Sequence, residues 1–299
     1  GQGGDWIRMV QHIKFALIIQ PKSLESLSML SYALNQSGKV KESIENSLFA
    51  LDLFPGDDQL YILLAQSYSL SQKFDIAITF LKNILKCNPQ NSHALKLIAD
   101  NYFNLDSYQK CIKYYKKAIK IDSNNVVLIN RLGIAYQKNN EVDNAMKSFQ
   151  IAIKIQPNFL DAHLNLANMF SLIKNHNKAI SLYNISLKFK PDCLEAYLNL
   201  ANLYRSDKEI TLALTNYKKA LDLSPDNDFA KSGIIYCSQQ ICDWSSRQLF
   251  QEWLKEIGLK NHSLNPFTLS YIECSPNRYL QRAKNYIKKF SAHQNKLSI

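Results

Sequence analysis

Helix breakers are scarce: the 299 residues include only eight glycines and eight prolines, which leaves a folded, helix-friendly composition. No C-x-x-C pair occurs among the six cysteines (Cys87, Cys111, Cys193, Cys237, Cys242, Cys274), and no histidine stands at zinc-finger spacing from them. A disulfide framework and a structural zinc site are not implied, the thiols read as small buried apolar residues, and a reducing, cytoplasmic setting is expected. Nowhere is there a run of about 18 uncharged apolar residues, and the opening GQGGDWIRMVQ has no basic stretch followed by a clean apolar one. The sequence therefore reads as soluble. His12, His93, His163, His176, His262 and His293 never cluster, and no Ser/His/Asp, paired-carboxylate, phosphate-loop or metal arrangement is recognisable. No catalytic residue, metal or cofactor is assigned, and this chain is not expected to be an enzyme by itself.

What is abundant is lysine. The formal net charge is +11, which would favour acidic partners, anionic membranes or nucleic acid if the basic residues were gathered on one face. They are scattered along the sequence, often in pairs such as Lys116–Lys117 and Lys218–Lys219, and read as solvated surface. Neither nucleic acid nor membrane is expected as a partner.

The prolines carry the organisation. Pro21, Pro55, Pro89, Pro157, Pro191 and Pro225 fall on one 34-residue lattice whose only vacant node holds Ser123. On that lattice six repeats run 24–57, 58–91, 92–125, 126–159, 160–193 and 194–227, each with apolar residues at i, i+3, i+4 and i+7 over two helices. The eighth slot is small in five of them (Ala65, Ala99, Gly133, Ala167, Ala201), as is the twentieth (Ala77, Cys111, Ala145, Ala179, Ala213, with Ser43 in the first). Small residues there let paired helices approach closely. Large ones fill the space between neighbours, with Tyr68, Tyr102, Tyr136, Phe170 and Tyr204 at slot eleven and Tyr115, Phe149, Tyr183 and Tyr217 at slot twenty-four. The proline is expected to close the second helix.

This pattern resembles tetratricopeptide repeats over about three quarters of the chain. The resemblance implies an all-α solenoid, a right-handed superhelix of antiparallel helix pairs. The first repeat fits least well, with Leu34 and Ser47 where aromatics are expected. Residues 1–23 resemble the second helix of one more repeat, so the natural protein is expected to continue upstream. Residues 228–299 are expected to form a capping helix to about Gln240, a helix from Ser245 to Gly258, and another announced by Ser275–Pro276. The basic stretch RYLQRAKNYIKKF reads as a helix with a solvated face lying over this connector.

Two near-identical octets, HLNLANMF at His163 and YLNLANLY at Tyr197, point to a binding surface. Slots two, six, nine and thirteen of a first helix share one face, which lines the concave groove in tetratricopeptide superhelices. Asn165 and Asn199 occupy slot six, and Asn168 and Asn202 slot nine. Each amide offers a donor and an acceptor, so a row of them can bond the backbone of an extended peptide; the alternative is that they bond one another across adjacent helices. Arg131 at slot six of the fourth repeat and Arg205 at slot twelve of the sixth are expected to flank the row and receive a carboxylate. Leu164, Leu166, Leu198 and Leu200 read as packing. The two-carboxylate clamp of chaperone-binding tetratricopeptide proteins is not expected, because Lys96 is followed by Asp100 and the later Lys–Arg pair is absent.

The stretch from ICDWS to NPFTLSYIECSPNRYLQRAKNY resembles the connector between repeats and catalytic domain in the O-linked N-acetylglucosamine transferase and Spindly-like glycosyltransferases. That resemblance implies a peptide- or protein-binding repeat scaffold acting as the acceptor-recognition region of a nucleotide-sugar-dependent enzyme, with the catalytic domain C-terminal in the parent protein. Asp243 and Trp244 form its corner, or equally an ordinary helix cap with a buried Trp. The competing reading is a free-standing adaptor for protein–protein assembly.

Overall fold

The computed structural model describes residues 2–243, 245, 247–255, 257, 259 and 276–294. Sixteen helices and no strand occur among the described residues. Helix α1 (Gln2–Ile19) precedes six helix pairs: α2 (Leu24–Gln36) and α3 (Val40–Leu53), α4 (Asp58–Leu70) and α5 (Phe74–Cys87), α6 (Ser92–Asn104) and α7 (Tyr108–Ile121), α8 (Val126–Lys138) and α9 (Val142–Ile155), α10 (Leu160–Leu172) and α11 (His176–Phe189), α12 (Leu194–Ser206) and α13 (Ile210–Leu223). Then come α14 (Asp228–Gln240), α15 (Arg247–Trp253) and α16 (Pro276–Gln294). The chain forms two compact units, residues 1–162 and 163–299. No described helix is long and apolar enough to cross a membrane.

Capping chemistry sets where first helices start. The side chains of Ser23, Asp57, Asn91, Asn125 and Asn227 each accept a hydrogen bond from the backbone N–H three residues on. The turn inside each pair is equally regular. Lys73, Ser107, Glu141, Asn175 and Glu209 donate their N–H to the carbonyls of Tyr68, Tyr102, Tyr136, Phe170 and Tyr204, closing a six-residue loop around a residue at slot fifteen. That residue is left-handed every time: Gly38 at φ 78°, then Gln72, Asp106, Asn140, Lys174 and Lys208 at φ between 53° and 65°. The proline is not the stop signal it seemed. Helix α7 ends at Ile121 with Asp122 as its cap, the same slot as its proline-bearing relatives, although Ser123 follows. Proline occupies a chain that has already left the helix.

The core repeats with the lattice. Ala65, Ala99, Ala167 and Ala201 at slot eight and Ala77, Cys111, Ala145, Ala179 and Ala213 at slot twenty are all at most 1% exposed, and Tyr115, Phe149, Tyr183 and Tyr217 are equally enclosed. Gly133 takes slot eight where the fit is tightest: an added Cβ would lie 2.5 Å from the Phe149 ring. In the first repeat the missing aromatics are replaced by a buried polar network. Ser43 Oγ donates to the Ser31 carbonyl at 2.8 Å, Ser47 Oγ to Ser31 Oγ at 2.7 Å, and Asn46 Nδ2 to the Leu27 carbonyl at 2.8 Å. That repeat is held by hydrogen bonds where the others use aromatic volume.

Two findings concern the C-terminal end. The capping helix expected to about Gln240 is α14, and it keeps the frame of the repeats. Asn227 caps it as Asn91 caps α6, Cys242 is left-handed at φ 56°, and Gly233 sits against the Tyr217 ring. Secondly, the basic helix α16 is not merely a solvated face. Arg282 is 1% exposed, with Nε donating to the Ile257 carbonyl at 2.7 Å and Nη2 to the Leu254 carbonyl, so it caps the end of the segment begun by α15. The helix expected from Ser245 to Gly258 runs only from Arg247 to Trp253. At the expected corner, Asp243 Oδ1 accepts from the Ser245 N–H at 3.0 Å; Trp244 and Ser275 lie outside the described residues.

Candidate functional site

In the second unit the octets place their asparagines on α10 and α12, one helical turn apart on each. Leu164, Leu166 and Leu200 are buried and Leu198 packs on the core, while all four amides are half-buried. Asn168, Asn199 and Asn202 line one hollow of about 310 Å³, together with Tyr183, His176 and Ser206. The structure thus brings together three of the four expected amides. Asn165 sits on the same helix and is not part of that lining.

The amides are held by an arrangement that the sequence reading missed. Tyr183 Oη donates to Asn168 Oδ1, and Tyr217 Oη donates to Asn202 Oδ1 at 2.7 Å. The slot twenty-four aromatics thus fix the slot nine amides of their own repeats. Asn168 Oδ1 also accepts from Asn199 Nδ2 at 3.1 Å, which realises the amide-to-amide alternative between adjacent repeats. With their oxygens bound from behind, Asn168 and Asn202 offer donors, while Asn199 spends its own on Asn168. Asn168 Nδ2 reaches only Glu195 Oε1, at 3.4 Å, and Asn202 Nδ2 has no acceptor among the described residues. Burial pushes the Tyr217 phenol up to about 12 and raises that of Tyr183 further, so both hydroxyls keep the proton that orients the amides.

Of the two arginines expected to flank the row, Arg205 does not face the hollow. Its guanidinium lies over the Tyr236 ring, 5.5 Å from the centroid. Arg131 belongs to the first unit, where the same hydrogen-bond frame recurs in charged form. Tyr115 Oη donates to Asp100 Oδ1, which also accepts from Arg131 Nη1 at 3.1 Å, while Lys96 Nζ lies 3.5 Å from Oδ2. Tyr115, Asp100 and Arg131 border a hollow of about 410 Å³ with Asn104, Val127 and Asp161. Asp100 pairs with both Lys96 and Arg131, where a carboxylate clamp would need its basic groups free. Among the described residues no group of three or more His, Cys, Asp or Glu is placed to hold a metal ion.

Family models described as tetratricopeptide repeat match residues 130–192 and 194–227. Another, described as anaphase-promoting complex, cyclosome, subunit 3, matches residues 41–118. No match was found among curated protein sequences. Among solved structures, MamA is similar at 25% identity and a TM-score of 0.51, over 54% of this chain and 95% of that one. The C-terminal part of a TPR repeat-containing protein from Cytophaga hutchinsonii is similar at 16% identity and a TM-score of 0.59, over 77% and 95%. YrrB, described as a TPR protein with an unusual peptide-binding site, is similar at 21% identity and a TM-score of 0.50, over 62% and 96%. Tetratricopeptide repeats are therefore recognised in this chain, on a helical-pair solenoid fold shared with these proteins.

Proposed function

We propose that this tetratricopeptide array is a binding scaffold whose second unit captures an extended polypeptide by its main chain, on the hollow lined by Asn168, Asn199 and Asn202. One observation carries the reading: the amide oxygens are bound from behind by Tyr183 and Tyr217, which leaves Asn168 and Asn202 presenting N–H groups outward. Donors in a row suit the carbonyls of a strand-like peptide and demand little of its side chains. That YrrB is described as binding peptide on a similar fold accords with this reading.

The test must separate binding from folding. Replacing Asn202 by alanine would orphan a buried tyrosine hydroxyl, whereas aspartate keeps the oxygen that Tyr217 binds and exchanges the donor for a carboxylate; Asn168 is a poorer place for it, because Glu195 Oε1 lies 3.4 Å from its Nδ2. Peptides selected from a displayed random library should bind N202D at least about tenfold more weakly, with unchanged helical circular dichroism. Equal affinity of the variant would sink the assignment.

A finer reading makes the chain the acceptor-recognition region of a nucleotide-sugar-dependent protein glycosyltransferase. It rests on the ICDWS-to-NRYLQ resemblance alone. A nucleotide-sugar domain encoded after Ile299 would support it, and a stop codon there would favour the free-standing adaptor.

A further inference from the structure

The lysines are scattered along the chain as a whole but dense on one helix. Helix α7 reads YQKCIKYYKKAIKI, with Lys110, Lys113, Lys116, Lys117 and Lys120 all exposed and no Asp or Glu. None of the five belongs to an ion pair among the described residues, although Lys14, Lys39, Lys96 and Lys231 do. Lys113 and Lys117, like Lys116 and Lys120, stand four residues apart, so the helix keeps like-charge pairs that work against its own stability. Three of the lysines are held in place: Lys110 lies 5.4 Å from the centre of the Tyr102 ring, Lys116 5.4 Å from that of Tyr136, and Lys117 5.5 Å from that of Tyr114. Beside the end of this ridge lies a hollow of about 480 Å³ with apolar walls of Leu85, Pro89, Leu95 and Ile121, and Lys117 and Lys120 on its rim.

We infer that α7 and this hollow form a second docking surface, for an acidic segment of a partner protein that carries an apolar side chain between carboxylates. The apolar side chain enters the hollow and the flanking carboxylates meet Lys117 and Lys120, with the rest of the ridge steering the encounter. The walls favour a peptide over a nucleic acid, since the tyrosine rings that could stack on bases are already covered by lysines. A recessed hollow of about 480 Å³, with room for an apolar side chain and its neighbours, favours it over a bilayer. The surface uses none of the residues of the amide hollow, so the two sites stand or fall separately.

The probe is a fluorescein-labelled synthetic peptide with one leucine between two pairs of glutamates, titrated with the full chain and followed by anisotropy. Lys117→Glu with Lys120→Glu should weaken binding at least about tenfold, and exchanging the peptide leucine for serine should weaken it as well. Lys218→Glu with Lys219→Glu, the same charge change on exposed positions of α13, should leave it unchanged. Equal losses in both lysine variants would show diffuse attraction to a basic protein and overturn the proposal. So would absence of peptide binding, or binding of single-stranded DNA or phosphatidylserine vesicles through Lys117 and Lys120 in its place. All four lysines are exposed, and unchanged helical circular dichroism confirms that each variant is folded.

Discussion

Asn202 shows how much one side chain depends on a partner fifteen positions away. The period alone puts Asn202 on the same face as Asn199, and both do line the hollow. What the period could not give is the direction of each amide, because Tyr217 lies on the next helix and was read only as volume between neighbours. Arg205 shows the same dependence: its slot is that of a flanking group, and Tyr236 from α14 lies under its guanidinium. Gly133 is a third case, since slot eight looked merely small. An Ala there meets the enclosed Phe149 ring, so Gly133→Ala should destabilise the protein by about 1–3 kcal/mol in urea unfolding, despite alanine's better helix propensity. A stabilised variant would mean that the ring swings aside.

At the scale of the element, helices and their starts were legible, and turns were not. Amphipathic spacing gives twelve helices in six pairs, and Ser, Asp or Asn just before the repeat caps four of the six first helices. The left-handed residue at slot fifteen left little trace, because only the first repeat spends a glycine there. A β-carbon in that conformation costs about 1–2 kcal/mol. Lys174→Gly and Lys208→Gly should therefore each stabilise the second unit by about 1 kcal/mol, less the entropy glycine adds to the unfolded chain, read as a higher urea midpoint. Unchanged or lower midpoints would show that the lysines hold these turns in some other way. The lysine ridge of α7 belongs to this scale too. Along the sequence its charges look like those of any solvated helix, and what sets it apart in the fold is the apolar hollow beside Lys117 and Lys120.

Across the whole molecule, a lattice of prolines was enough to recognise a repeat array, since a fold built from one unit announces itself by periodicity. The connector was less legible because no period governs it, and Arg282 is buried where its basic surroundings promised solvent. The repeated tyrosines have a consequence for the chain as a unit. Burial raises the phenols of Tyr115, Tyr183 and Tyr217, the last to about 12, against an ordinary value of 10.0. The folded state thus holds these protons after the unfolded chain has lost its own. The stability they confer is complete below pH 10.0 and is lost as pH rises from there towards about 12 and beyond. The melting midpoint should fall over that window, with phenolate absorbance from these three tyrosines appearing only as helix is lost. Phenolate formation with the helices intact would contradict this.

The central claim is that tyrosine-oriented amides donate to the main chain of a bound polypeptide. The most direct measurement replaces single backbone amides of a selected peptide by esters, whose carbonyls are weaker acceptors, and compares this with an alanine scan of the same peptide by calorimetry. The account predicts losses of about twofold to tenfold for esters at alternate positions, with smaller losses for most alanine replacements. Affinity that tolerates every ester and collapses on the loss of one or two side chains would contradict it.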